Sequence, residues 1–262
     1  MDVSRDAYYK HNKREKKREN DNFRIVDKVN EIRKEHPRMG TKKLKAVIEK
    51  SEGSLKVGRD RLNNLLGERH MLVKQHRSGS KTTYSNHEYA VSPNRLKGLK
   101  VERPNQVFVG DITYLHYAGK FLYLYLITDL YSRKIVASTL GEGLEHKYAV
   151  ECLNKATASL KDTTGIIYHS DRGSQYCCHK YKEVIKEKGM LSSMTDENHC
   201  YQNATAERVN GIIKNEYLLD VTFKDVEDAR KKVEKAIELY NTKRPHRSLN
   251  MRVPADVYSA EF

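Results

Sequence analysis

The chain has 262 residues, with 49 Lys+Arg against 35 Asp+Glu and a formal net charge of +14. Hydrophobic residues make up 38% and charged residues 32%, and the longest apolar run, Phe121 to Ile127, is far too short to cross a bilayer, which excludes a membrane-spanning protein. Four cysteines, two of them adjacent, make no disulfide framework, and the opening MDVSRDAYYKHNKREKKREN lacks the apolar stretch of a secretory signal. A reduced, cytoplasmic protein without membrane partners is the expectation.

The positive charge gathers at one end. Residues 1–105 hold 27 Lys+Arg and 14 Asp+Glu, whereas residues 106–262 hold 22 and 21. Such asymmetry suits a region that grips a polyanion, although a solvated basic arm looks the same. Residues 1–21 read as a basic arm or frayed helix, with Lys13, Arg14, Lys16, Lys17 and Arg18 in one run. Over 22–75 the period turns helical. Phe23, Val26, Val29 and Ile32 recur at three- to four-residue steps until Pro37 and Gly40. Leu44, Val47 and Ile48 then follow Thr41, and Leu62, Leu65 and Leu66 mark a third helix from about Gly58 to Arg69. With Arg59, Arg61 and Asn64 on that last helix, the arrangement suits a helix-turn-helix whose final helix enters a DNA groove, yet any small three-helix bundle has this period. Residues 76–103, with Ser78-Gly79-Ser80 and Pro93, read as a linker.

From residue 104 to 262 the texture is α/β. Gln106–Tyr117 alternates and ends at Ala118-Gly119-Lys120; Phe121–Thr128 is apolar at nearly every position, as in a central strand. Lys134–Thr139 completes a predicted antiparallel meander. A helix over Glu145–Leu160, a strand over Gly165–His169, a helix over His179–Lys188 and a short strand at Leu191–Met194 follow. Helices over Tyr201–Leu219 and Val226–Tyr240 then complete a mixed-sheet layout.

Carboxylates inside or at the ends of strands are costly to desolvate and need a reason. Asp111 lies within the first strand, Asp171 directly follows the fourth, and Glu207 opens the 201–219 helix. Convergence on divalent cations would satisfy all three, since Mg²⁺ takes hard oxygen ligands and two such ions serve phosphoryl transfer. Asp129 also closes a strand, in Ile-Thr-Asp-Leu-Tyr-Ser-Arg; a structural role, bonding the turn into Lys134, is the preferred reading. Asn203, Glu207, Asn210 and Lys214 form one polar stripe on their helix, suited to a metal ligand beside DNA contacts or, more plainly, to the wet side of an amphipathic helix.

Taken in order, these motifs resemble a known family. Val107-Phe108-Val109-Gly110-Asp111-Ile112-Thr113-Tyr114, His169-Ser170-Asp171-Arg172-Gly173-Ser174-Gln175-Tyr176, Cys200-Tyr201-Gln202-Asn203-Ala204 leading to Glu207, and Tyr240-Asn241 with Arg244-Pro245-His246-Arg247 are similar to those of the catalytic, OrfB-type subunit of IS3-group insertion-sequence transposases. That group lies within the DDE transposase and retroviral integrase superfamily. The resemblance spans essentially the whole chain and implies an RNase H-like core preceded by the small helical domain. It implies Asp111, Asp171 and Glu207 as catalytic, metal-binding triad, two Mg²⁺ ions (Mn²⁺ as substitute), hydrolysis at a transposon end and attack of the freed 3′-hydroxyl on a phosphodiester. Lys214 is implied as a contact to the transposon end; Asn203, Asn210, Arg59, Arg61, Arg172, Arg244 and Arg247 are the further DNA-binding candidates. Partners implied are transposon-end and target DNA, an OrfA-type protein or frameshift fusion, and further copies of the chain on DNA. Phe108, Gly110 and Gln202 replace the family's usual Trp, Thr and Asp. A non-catalytic or domesticated DNA-binding protein derived from a transposase is the alternative.

His169, Cys177, Cys178, His179, His199 and Cys200 invite a zinc reading, but zinc sites space their ligand pairs by two to four residues, whereas these candidates are contiguous. No Walker-type Gly-Lys-Ser sequence exists, so nucleotide hydrolysis is not expected. Deleting residues 1–75 is expected to weaken DNA affinity more than metal binding; a gel-shift titration showing unchanged affinity refutes that division of labour.

Overall fold

The structure, a computed structural model, describes residues 4–53, 55–74, 89–196 and 203–260. The chain divides into two compact units, Met1–Gln75 with Pro245–Met251, and His76–Arg244 with Arg252–Phe262. No helix among the described residues is long and apolar enough to cross a membrane.

The first unit is helical. α1 runs over Arg5–Glu35, α2 over Thr41–Ser51 and α3 over Arg59–Glu68. Ile25, Val29 and Ile32 from α1 meet Leu44 and Ile48 from α2 and Leu62, Leu65 and Leu66 from α3, with Met39, Leu55 and Val57 closing the ends. Of the expected apolar face, Val29 and Ile32 are buried and Val26 packs against the core, but Phe23 is 71% exposed and Ile25 takes the first buried place. The basic segment is also continuous helix, not a separate arm. Ser4 caps it by accepting from the Ala7 N–H, Lys10 pairs with Asp6 one turn earlier, and neither Gly nor Pro interrupts it before Pro37.

The second unit is built on one mixed sheet. β1 (Val107–Tyr117), β2 (Lys120–Asp129) and β3 (Ile135–Gly141) form the antiparallel meander, and β4 (Ile167–Ser170) and β5 (Leu191–Met194) extend it in parallel, in the order β3-β2-β1-β4-β5. Ala118 and Gly119 join β1 to β2 with φ of 44° and 75°, the left-handed pair that a two-residue hairpin requires. Between the strands lie α4 (His146–Thr157), α5 (Ser174–Cys177) and α6 (His179–Glu187); α7 (Ala204–Glu216), α8 (Val226–Thr242) and α9 (Pro254–Tyr258) follow the sheet.

Strand alternation sends side chains to two cores. Phe108, Tyr125 and Ile127 face Ala149, Cys152 and Leu153 of α4 and Tyr181 and Ile185 of α6. Leu115, Leu122, Leu124 and Leu126 face Val209, Ile212 and Ile213 of α7 and Val233, Ala236 and Tyr240 of α8. Central β2 is therefore covered on both sides, as its unbroken apolar run requires. This is an RNase H-like α/β fold.

The segment expected as a linker has structure where it is described. Residues 76–88, including Ser78-Gly79-Ser80, lie outside the described residues; from Tyr89 the chain follows β5. Ser92 Oγ donates to Ser192 Oγ at 2.9 Å, the Arg95 N–H to Ser193 Oγ at 2.9 Å, and Leu96 and Val101 pack on Val107, Val109 and Ala206. Polarity misled here: the short hydroxyl side chains pair with β5 instead of with water.

Asp129 is fully buried at the end of β2. Its Oδ1 accepts from the Ser132 N–H at 2.7 Å and Ser132 Oγ at 2.6 Å, and its Oδ2 from the Asn105 N–H at 2.8 Å, while the Asp129 N–H donates to Lys134 O. The structural reading of this carboxylate holds: it ties the β2–β3 turn to the entry of β1. Asp129→Ala strands three donors in a dry environment and is expected to lower the unfolding free energy by about 3 kcal/mol; urea denaturation showing a loss under about 1 kcal/mol contradicts this role.

Candidate active site

Two parallel strands set the site. β1 and β4 pair Val107 with Ile167, Phe108 with Tyr168 and Val109 with His169, a constant offset of 60 residues that, continued by two residues, leads to Asp111 and Asp171. Asp111 continues within β1, whereas β4 has ended at Ser170 and Asp171 begins the turn into α5. Asp171 Oδ1 accepts from the Gly173 N–H at 3.0 Å, holding the carboxylate at the mouth of that turn. Asp111 Oδ1 accepts from the Ile112 N–H at 2.9 Å.

α7 brings the third carboxylate and two amides. Asn203 Nδ2 donates to Gly110 O at 3.1 Å, and Asn210 Nδ2 donates to Asp111 Oδ2 at 2.8 Å. Both asparagines are buried, at 2% and 5% exposure. The polar stripe expected to face water or DNA therefore faces β1 at these positions. The reason is local: Gly110 O and the Asp111 carboxylate lie under the helix and need donors that an apolar face could not supply. Glu207, between the two asparagines, is exposed. Lys214 is half-buried near the end of α7; burial lowers its pKa and the charge of Asp220 opposes that shift.

The carboxylates sense one another. Burial, then Asp171, and more weakly Glu207, push the Asp111 carboxyl well above the usual range, against the hydrogen bonds from Ile112 and Asn210. Partial desolvation where α7 meets the sheet, and the charge of Asp171, raise the carboxyl of the otherwise exposed Glu207. Among the described residues no three His, Cys, Asp or Glu side chains are gathered closely enough to enclose a metal ion. The donor set nevertheless fits a hard cation. Its oxygens repel one another, and the Oδ1 atoms of Asn203 and Asn210 are buried without a hydrogen-bond partner among the described residues, leaving acceptors for water carried by an ion.

The other expected contacts fall elsewhere. Arg172 donates through Nε to Thr195 O at 2.9 Å. Arg244 is 4% exposed and grips Glu216 with Nε at 2.7 Å and Nη2 at 3.0 Å, so its charge is used inside the fold, locking the end of α8 to α7. Arg59 pairs with Asp60 at 2.7 Å, and Arg61 reaches Asn22 of α1 at 2.8 Å. Arg247 is exposed and belongs to the helical unit, not to the unit that carries the triad. Gln202, His199 and Cys200 lie outside the described residues. Cys177 packs its sulfur 3.5 Å from that of Met194 in the core, and His179 faces Glu183 at 3.2 Å. His169 is buried with Nδ1 2.9 Å from Ser193 Oγ, which anchors β4 to β5.

A feature missed from the sequence lies behind Asp111. A Cβ on Gly110 would stand 1.9 Å from the Tyr168 hydroxyl oxygen and 2.7 Å from its ring carbon. Tyr168 is buried against Tyr176 and Tyr181, with ring centroids 6.1 and 5.6 Å away. The departure from Thr at position 110 is thus matched by a large aromatic at 168, and the signal was the Gly itself, since a mid-strand glycine marks a close approach.

Integrase core domain family models match residues 101–200 and 188–254. The chain is 36% identical over 258 residues to the insertion element IS600 31 kDa protein of Shigella sonnei, covering 97% of this chain and 94% of that one. It is 34% identical over 166 residues to the transposase for insertion sequence element IS904 of Lactococcus lactis, covering 63% and 66%. With the transposase InsF for insertion sequence IS3A of Escherichia coli it shares 33% over 176 residues, covering 66% and 61%. The chain thus spans under two thirds of the length of the last two. In the cryoEM structure of the simian T-cell lymphotropic virus intasome in complex with PP2A regulatory subunit B56 gamma, one chain superposes with a TM-score of 0.54 at 14% identity, covering 85% of this chain and 72% of that one; the likeness is one of fold.

Gly110→Thr is expected to destabilise the chain, and Tyr168→Val to relieve that clash. In a double-mutant cycle followed by thermal or urea unfolding, the pair should couple favourably by about 1–3 kcal/mol; additive losses would refute the steric exchange.

Proposed function

The chain belongs to the IS3 group of insertion-sequence transposases, and from that premise we propose that it is the catalytic subunit that cuts a transposon end and joins it to target DNA. The observation that supports this best is the β1–β4 register, paired from Val107–Ile167 to Val109–His169: continued by two residues it reaches Asp111 and, just past the end of β4, Asp171, and Glu207 of α7 lies within electrostatic reach of Asp171. Asp111, Asp171 and Glu207 would hold divalent cations, Mg²⁺ or Mn²⁺. When bound, two such ions supply positive charge to the attacking and leaving oxygens of an in-line phosphoryl transfer.

The chain's own residues prepare that chemistry. Asn210 fixes the Asp111 carboxylate through Oδ2, and Asn203 pins the backbone before it, so the first acidic group is oriented by a helix that also carries the third. The Gly173 N–H orients Asp171. No side chain serves as covalent nucleophile. In the first step a water oxygen forms a bond to phosphorus at the transposon end and the 3′-oxygen departs, taking a proton to become a hydroxyl. In the second, that hydroxyl loses its proton, its oxygen attacks a target phosphodiester, and the target's own 3′-oxygen leaves. One bond forms and one breaks in each step, so the second needs no external energy source.

Lys214, on the last turn of α7, is suited to the transposon end. An OrfA-type partner or frameshift fusion and assembly of several copies on DNA complete the reading. Asp111→Asn, Asp171→Asn and Glu207→Gln are each expected to abolish Mg²⁺-dependent nicking and joining of a labelled transposon end, at least 100-fold, while gel-shift affinity stays within about threefold. Binding by the unaltered chain with no nicking in Mg²⁺ or Mn²⁺, even with an upstream-frame protein added, would overturn catalysis in favour of a DNA-binding protein derived from a transposase.

A further inference from the structure

The N-terminal half of α1 is built unlike a packed helix. Every residue from Ser4 to Asn20 is exposed except half-buried Asn12, and the first buried residue of α1 is Ile25. Lys10, Lys13, Arg14, Lys17 and Arg18 stand at positions i, i+3, i+4, i+7 and i+8, the spacing of a single helix face. Glu15 and Glu19 lie on the other side, and Asp6 and Asp21 bound the stripe at its two ends. Lys10 pairs with Asp6 and Arg18 with Glu15; Lys13, Arg14 and Lys17 have no ion-pair partner among the described residues.

Stacking like charges one turn apart opposes helix formation, and an unpacked segment gains nothing from burial to offset this. A polyanion laid along the stripe removes the repulsion. No residue from Lys10 to Arg18 is apolar, on this face or the opposite one, which excludes a coiled-coil seam and an amphipathic helix lying in a membrane over this stretch. The stripe's five cations span about 12 Å along the helix axis at ~1.5 Å per residue, and an α-helix, about 10–12 Å in diameter with its side chains, fits the roughly 12 Å major groove of B-DNA between its two phosphate rows. α3, the helix expected to enter the groove, has no such surplus: Arg59 is paired with Asp60, Arg61 with Asn22, and Glu68 adds a negative charge.

We infer that duplex DNA is held by the Lys10–Arg18 stripe of α1, acting as a rigid basic helix, and that this stripe, and not α3, supplies most of the unit's phosphate contacts. The inference rests on the transposase reading for its choice of DNA as the polyanion.

The test uses the full chain and a fluorescein-labelled duplex, with affinity measured by anisotropy across a salt series. Replacing Lys10, Lys13, Arg14, Lys17 and Arg18 together by Gln keeps helix propensity, and circular dichroism checks that the fold is retained. The slope of log affinity against log salt should fall by about 3 to 5, at ~0.9 for each phosphate that the stripe neutralises. Asn12→Pro keeps every cation and breaks the helix; affinity should drop at least tenfold. An unchanged slope in the quintuple variant overturns the stripe, and wild-type affinity in Asn12→Pro overturns the rigid helix in favour of a flexible arm. Equal or tighter binding of a single strand of matched length overturns duplex as the occupant. Each of these can fail while Mg²⁺-dependent end nicking by the unaltered chain persists, which separates this inference from the catalytic reading.

Discussion

The catalytic unit depends on one contact between a helix and a strand: the 2.8 Å hydrogen bond from Asn210 Nδ2 to Asp111 Oδ2. A carboxylate in the middle of a sheet is expensive to leave without a donor, and α7 supplies that donor on the same face that buries Val209, Ile212 and Ile213. Asn203 repeats the device two turns earlier on the carbonyl of Gly110. Docking α7 therefore satisfies β1, and the same docking fixes where Glu207 emerges. Apolar packing sets how close the helix approaches; the two amides set its register along the strand.

That docking leaves a site under electrostatic tension. Asp111, Asp171 and Glu207 repel one another, and the nearest hydrogen bonds only partly offset burial. Such an arrangement is unfavourable by itself, and a divalent cation would relieve it. Behind it, Tyr168, Tyr176 and Tyr181 form an aromatic wall that gives the strands a stiff backing. Gly110 is the position where that wall reaches β1. Arg244 and Glu216 perform a related task at the far end of α7, where a two-point ion pair holds the helix to α8.

Charge separates the two units by task. The helical unit packs a small core from three helices and leaves the first half of α1 exposed among the described residues. The sheet unit keeps its few functional charges close together and uses others, such as Arg244 and Asp129, as internal fasteners. A charged side chain thus has opposite meanings in the two units: exposed along a face in one, and buried with specific partners in the other.

Hydrophobic period, hairpin chemistry at Ala118-Gly119 and the order of motifs made the strands, most helices and the family legible in the amino-acid sequence, and pointed to the three candidate carboxylates, because each is written in neighbours along the chain. The turn-bonding part of the role of Asp129 was readable for the same reason, since Ser132 and Lys134 are local, whereas its bond to the Asn105 N–H, 24 residues away, was not. What needed the tertiary structure was direction. Whether the Asn203–Asn210 stripe meets water or β1, whether Arg244 meets DNA or Glu216, and whether residues 89–103 are free or lie along β5 depend on groups tens of residues away. A polar side chain is equally at home in solvent and against a buried partner, so its identity alone does not choose between them; the fold chooses, by bringing or withholding that partner.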